Sequence, residues 1–289
     1  MPSLLEAIDK KYGKEENENC DLGLPIAIYV PKKSPRNSIP SLLVLNDCDI
    51  ETAGDEQELE KKCQGVEELD LAQNKLARWT EVFDILKHMP RVKFVNLSFN
   101  NLAEELVTVD NRNPFPYLKN LVLNSTNINW KSVQDLLLLL PSLEELHLSL
   151  NNYSNIDLGE DINCRPNYQN VKKVHFTGNP VSTWREICKL GLAFPTLESL
   201  VLAECPLQSL DTANRDTLDP DGRTESECES NSSPGIDSPH SCFRKLKFLN
   251  LNSTLLATWD DVERLSRFPA LQCLRLQGCP LFEVMSINS

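Results

Sequence analysis

Residues 120–151 read NLVLNSTNINWKSVQDLLLLLPSLEELHLSLN, and two copies of one short pattern bracket a helical stretch within them. The first copy begins just upstream, as Leu118-x-x-Leu121-x-Leu123-x-x-Thr126. The second is Leu143-x-x-Leu146-x-Leu148-x-x-Asn151. Both fit L-x-x-L-x-L-x-x-N, with Thr admitted in place of Asn, which is the signature of leucine-rich repeats. Between them Trp130, Val133 and Leu136 recur at helical spacing, and Pro141 stops the helix before the next strand.

Outward from this stretch the pattern closes on Cys48, Asn74, Asn100, Thr126, Asn151, Asn179, Cys205, Thr254 and Cys279. The successive gaps are 26, 26, 26, 25, 28, 26, 49 and 25 residues, and the 49 is one period of 26 plus 23 inserted residues. The paired inward positions are Leu43/Leu45, Leu69/Leu71, Val95/Leu97, Leu121/Leu123, Leu146/Leu148, Val174/Phe176, Leu200/Leu202, Leu249/Leu251 and Leu274/Leu276. All eighteen are apolar in a chain that is 40% hydrophobic. Chance would give that roughly once in ten million trials.

Strand geometry explains the pattern. Alternate residues point to opposite faces, so the paired positions turn inward while their neighbours face the concave side. At the Asn position the chain bends away from the sheet, and a buried amide there can bond backbone groups the bend would leave unpaired. No single repeat buries its apolar face alone; stacking makes one core. The expected fold is α/β: a nine-repeat solenoid, a right-handed horseshoe with a parallel concave sheet and short convex helices in alternate repeats.

Those helices are read from WTEVFDILKHMP, WKSVQDLLLLLP, WREICKLGLAFP and WDDVERLSRFP, beginning at Trp79, Trp130, Trp184 and Trp259 in repeats two, four, six and eight. Thr80, Ser132 and Asp260 are the expected caps. The fixed place of Trp in the repeat argues that it packs rather than binds. Residues 1–37 are expected to form an N-terminal cap segment, with a helix over 1–12 and a strand over Pro25–Val30. Residues 38–289 form the repeat domain.

Net charge is −13, which argues against nucleic acid, whose binding needs clustered Lys and Arg. The longest Leu run, Leu136–Leu140, falls far short of the roughly 20 residues of a membrane span. The start, Met1–Lys11, carries Glu6 and Asp9 in place of a signal peptide's apolar core. Ten Cys occur without a C-x-x-C pair, so free thiols in a reducing cytosol are expected. The insertion, residues 209–241, is acidic and Ser-rich: between 211 and 240, eight carboxylates face only Arg215 and Arg223. Thr224, Ser226, Ser230, Ser233 and Ser238 make it either a phosphorylation-tuned loop or a passive spacer.

The chain holds no G-x-S-x-G, no phosphate-cradling glycine loop and no H-E-x-x-H, so neither an enzyme nor a cofactor is expected. His147 and His175 occupy one concave position in adjacent repeats, flanked by Glu145 and Lys173. A metal site, a pH-sensitive partner contact and ordinary polar surface are the three readings. Two imidazoles without a third convergent ligand make poor zinc geometry, so no metal is assigned. The candidate partner surface is the concave face: Asp70, Phe94, Asn96, Asn120, Glu145, His147, Lys173, His175, Phe248, Asn250 and Arg275. Its mixed charge and its Phe residues suit a protein partner.

One stretch carries more than the generic repeat. SLLVLNDCDIETAGDEQELEKKCQGVEELDLAQNKLARWTEVFDILKHMPRVKFVNLSFNNL contains C-x-I-x-x-A-G-[DE] at Cys48, Ile50, Ala53, Gly54 and Asp55, then W-x-E-V at Trp79. It resembles the tubulin-specific chaperone cofactor E family, and NLVLNSTNINWKSV and LEELHLSLNNY continue the likeness. The resemblance runs from about residue 38 to the end, with residues 1–37 only loosely similar. No CAP-Gly glycine cluster precedes the repeats, so the cofactor E-like branch is the nearer one. The resemblance implies a cytoplasmic, cytoskeleton-associated monomer that binds α-tubulin or the αβ-tubulin dimer and regulates dimer stability or turnover. Where the family would continue into a ubiquitin-like domain, the sequence stops at Ser289, which leads to an expectation of binding without dissociation. The alternative is a general leucine-rich-repeat adaptor in intracellular signalling.

Overall fold

The computed structural model describes residues 2–13, 39–106, 115–159, 167–212 and 240–282. They fall into two compact units, Met1–Ile128 and Asn129–Ser289. The first holds α1 (Leu4–Tyr12), β1 (Leu42–Val44), α2 (Glu56–Cys63), β2 (Glu68–Asp70), α3 (Trp79–Leu86), β3 (Phe94–Asn96) and β4 (Asn120–Val122). Its strands pair in parallel and in chain order, with Leu43, Leu69, Val95 and Leu121 in one row.

The second unit holds α4 (Trp130–Leu138), β5 (Glu145–His147), β6 (Lys173–His175), α5 (Trp184–Ala193), β7 (Ser199–Val201), β8 (Phe248–Asn250), α6 (Trp259–Leu265) and β9 (Cys273–Arg275). Leu146, Val174, Leu200, Leu249 and Leu274 share one row of its parallel strands. β7 pairs directly with β8 across the 49-residue gap, so the sheet resumes after it without a change of register. The buried Asp261 carboxylate fixes the insertion's point of departure. It accepts from the Leu210 N–H (2.8 Å), Ser209 Oγ (3.0 Å), Thr258 Oγ1 (2.7 Å) and Arg264 Nη1 (3.1 Å).

The fold is the α/β leucine-rich-repeat solenoid that the pattern predicts. The paired apolar positions are buried throughout except Leu274 and Leu276, which are half-buried. Their strand, β9, pairs with β8 alone among the described residues.

The Asn position acts as its chemistry requires. Asn74 Oδ1 accepts from the Cys48 and Ile50 N–H groups (both 3.0 Å), and its Nδ2 donates to the Leu45 and Leu71 carbonyls (both 2.9 Å). Asn179 repeats the arrangement with Asn151, Tyr153, Leu148 and Phe176. Thr126 and Thr254 donate to the Leu123 and Leu251 carbonyls (2.9 Å each), and Thr254 Oγ1 also meets Cys279 Sγ at 3.3 Å. The Cys205 and Cys279 thiols donate weakly to Phe176 and Leu251 (3.4 and 3.2 Å). The cysteines among the described residues are free thiols.

A second regularity is invisible in the consensus. The residue before each of these nine positions has positive φ: Asp47, Gln73, Phe99, Ser125, Leu150, Gly178, Glu204, Ser253 and Gly278, between 54° and 73°. Only two are glycine, although the left-handed region costs an ordinary residue about 1–2 kcal/mol. The conformation aims the N–H sideways, so the ladder between repeats continues past the strand. Examples are Gln73 to the Ser98 carbonyl (2.8 Å) and Leu150 to the Thr177 carbonyl (2.9 Å).

The four Trp-led helices form where expected, but their caps do not. Trp is the first helical residue, so the caps are Arg78, Asn129, Thr183 and Thr258, and Thr80, Ser132 and Asp260 lie inside the first turn. Asn129 alone among them caps with its side chain, accepting from the Ser132 N–H (2.7 Å). The alternation is also incomplete, because repeat one carries α2, capped by Asp55. Trp79, Trp130 and Trp184 are buried as packing residues; Trp259 is half exposed.

The N-terminal helix α1 starts with a Ser3/Glu6 capping box and covers the free side of β1. Tyr12 Oη donates to the Val44 carbonyl and accepts from the Val44 N–H (3.2 Å each), and Lys11 Nζ reaches the same carbonyl (2.7 Å). Among the described residues, these side chains are the partners of the Val44 backbone on that edge. Gly54, at φ +102°, leaves the room for Ser3 and Leu5. The expected strand over Pro25–Val30 and the candidate phosphorylation sites lie outside the described residues, as do residues 213–239 of the insertion.

Candidate functional site

The concave residues divide by what they bond. In the first unit Asp70 and Asn96 are half-buried and turned to local work. Asp70 Oδ1 accepts from the Ala72 N–H (3.0 Å), and Asn96 Oδ1 from the Ser98 N–H (3.1 Å) and hydroxyl (2.7 Å). Asn250 in the second unit does the same for the Asn252 N–H (3.0 Å) and is itself buried. A short polar side chain that bonds the backbone two residues on closes a turn. These three positions therefore shape the bend after the strand, and the Oδ1 atom of each is already engaged.

The two Phe residues are also less available than the pattern suggests. Phe94 and Phe248 are half-buried, and the exposed Arg275 guanidinium stands over the Phe248 ring at 5.2 Å. Exposed apolar side chains include Leu42 on β1 (47% exposed) and, one turn beyond their strands, Phe99 (56%) and Leu150 (48%). Phe99 and Leu150 occupy the left-handed position before the repeat Asn, and Gly178 leaves space for Leu150, since a Cβ there would stand 2.5 Å from Leu150 Cδ2. A bulky residue held in a strained turn and exposed to water points towards function. The sequence carried a signal for them: every other member of that nine-residue series is polar, charged or glycine.

Substituting Phe99 with Gly tests the cost. Relief of backbone strain (about 1–2 kcal/mol) opposes the added freedom of glycine in the unfolded chain (about 0.5–1 kcal/mol) and a small loss of burial. The unfolding free energy from urea titration is expected to stay within about 0.5 kcal/mol of the parent; a loss above about 1.5 kcal/mol would show the ring to be structural.

Four candidates converge in the second unit. His147 and His175 stack with ring centroids 3.9 Å apart and planes 4° off parallel, on neighbouring strands in register. Glu145 Oε1 meets both rings, at 2.9 Å from His147 Nε2 and 3.3 Å from His175 Nε2, while its Oε2 accepts from Lys173 Nζ at 3.1 Å. The strand pattern alone sets Glu145 a column away from the imidazoles. Its side chain is long enough to cross that column, so the structure supplies the third convergent group. Burial pushes the Glu145 carboxyl upward, yet the bonds from Lys173 and His147 and their charges outweigh it and hold the pKa below the ordinary value. His175 is lowered, first by burial and then by the neighbouring His147, against the pull of Glu145. Asn120 is half-buried and Lys173 exposed.

No protein-family model matches the chain. It is 35% identical over 287 residues to the tubulin-specific chaperone cofactor E-like protein of Homo sapiens, covering 97% of this chain and 61% of that protein. The cofactor E-like protein of Caenorhabditis elegans is 27% identical, over 89% of this chain and 52% of its own length. Tubulin-specific chaperone E of Bos taurus is 29% identical, over 83% and 40%. Among solved structures, internalin C2 of Listeria monocytogenes is similar at 19% identity, covering 82% of this chain and 80% of that one with a TM-score of 0.49. The chain thus spans about 61% of the human relative it matches. The likeness covers more of the chain than residues 38–289 can supply, so it reaches into the N-terminal segment that the motifs left only loosely similar. With about a third of its positions shared along nearly its whole length, the chain is a homologue of the mammalian tubulin-specific chaperone cofactor E-like proteins.

Proposed function

We propose that the chain binds tubulin, through the α subunit of the αβ dimer, with the concave face of its repeats, and regulates dimer stability or turnover without catalysis. The observation that carries this reading is the 35% identity with the human cofactor E-like protein over 97% of the chain. The site's chemistry supports it. A face of mixed charge with half-buried aromatics and a rim of exposed apolar side chains has the make-up of a protein interface. On this reading the chain acts as a monomer in the cytoplasm, associated with the cytoskeleton.

Purified αβ-tubulin passed over the immobilised chain tests the proposal. Retention of α-tubulin is expected. Lys173→Glu combined with Phe248→Ala should weaken it about tenfold or more, since the first reverses an exposed charge and the second removes an aromatic anchor. Phe99→Gly adds a probe of the exposed rim. Retention unchanged by all three would move the contact to the convex helices or α1. Failure to retain tubulin, with an unrelated protein captured in its place, would favour the adaptor reading.

A further inference from the structure

We propose that Glu145, His147 and His175 form a zinc-binding site on the concave face of the second unit, spanning β5 and β6. The inference is independent of the tubulin reading. Three ligand atoms of the types zinc prefers, two imidazole nitrogens and one carboxylate oxygen, lie within 4.8 Å of one another. Around a tetrahedral zinc with bonds of about 2.0–2.2 Å, neighbouring ligand atoms stand about 3.3–3.5 Å apart. Glu145 Oε1 already stands 2.9 and 3.3 Å from the two Nε2 atoms. Because the strands are in register and the rings nearly parallel, both imidazoles turn the same edge towards the Glu145 carboxylate. The two lone pairs run parallel within the stack, so each ring must turn out of it by roughly 60° to address one ion at a Zn–N distance of about 2.0–2.1 Å.

The protons balance simply. With both rings in the neutral Nε2–H tautomer, each donates to the carboxylate. Zinc takes the place of those two hydrogen bonds, and each ring keeps its single proton, now on Nδ1. Lys173 is the obstacle, because its ammonium shares the carboxylate at 3.1 Å. Its side chain is 56% exposed and can swing into water, so zinc and Lys173 compete for Glu145. With three protein ligands, the fourth zinc position remains for water or for a side chain of whatever molecule lies on this face.

Zinc titration of the full reduced chain, followed by NMR of the imidazole Cε1–H signals, tests the site. The signals of His147 and His175 are expected to shift together and saturate at one equivalent, while those of His88 and His240 stay in place. In parallel calorimetry the His147→Gln/His175→Gln double variant should bind one equivalent fewer; zinc held by thiols is common to both chains and cancels. Glu145→Gln should weaken the site about 10–100-fold, whereas Lys173→Gln should tighten it. Unmoved His147 and His175 signals, or equal stoichiometry in the double variant, would overturn the proposal.

Discussion

Asn179→Ala is expected to lower the stability of the second unit by about 3–4 kcal/mol. The amide serves four buried backbone groups: the Asn151 and Tyr153 N–H (2.9 and 3.2 Å) and the Leu148 and Phe176 carbonyls (3.0 and 2.9 Å). Each orphaned group costs roughly 1–3 kcal/mol, but local relaxation recovers part of the sum. Cys205 offers the internal control. Its thiol donates weakly to the Phe176 carbonyl at 3.4 Å and its sulfur faces the Gly178 and Asn179 N–H groups as a weak acceptor, so Cys205→Ala should cost no more than about 1.5 kcal/mol. Urea unfolding monitored by tryptophan fluorescence compares the two. Equal losses would mean that the position matters for its volume and that the amide bonds contribute little.

Trp184→Ala should be as damaging, at about 3–5 kcal/mol, the range for truncating a fully buried aromatic residue. Its indole has no exposed surface and packs against Phe243 (5.7 Å between ring centroids) and Phe268 (6.1 Å). Those rings come from the return of the insertion and from the segment after α6, so one side chain ties three repeats together. A unit of this size should melt roughly 10 °C lower. Trp259 heads its own helix at the equivalent place, yet it is 50% exposed and touches Phe282 edge-on at 6.0 Å. Trp259→Ala should therefore cost less than about 1 kcal/mol. Comparable melting shifts for the two substitutions would contradict packing as the role of the motif.

The contrast between Trp184 and Trp259 shows what the pattern leaves open. Periodicity assigns both to one structural position, and it is right about the helix each begins. It does not know how many neighbours surround that position. The same holds for Leu274 and Leu276, apolar at the correct places and yet half-buried. Conversely, Asp70, Asn96 and Asn250 look like free polar groups on a binding face, but their oxygens close the turn two residues on.

The sequence by itself determined the repeat length, the row each leucine occupies, the in-register pairing across the insertion, and the start of four convex helices. These follow from two short-range rules, alternation along a strand and helical spacing, iterated every 25 to 28 residues. Tertiary structure alone decided the left-handed turn before each ladder residue, the exposure of Phe99 and Leu150, and the meeting of Glu145 with two imidazoles. Each of these depends on a bond or contact made between repeats. A left-handed φ is worth its strain only when the next repeat offers a carbonyl, and a carboxylate reaches a neighbouring ring only at the spacing the stacked strands impose.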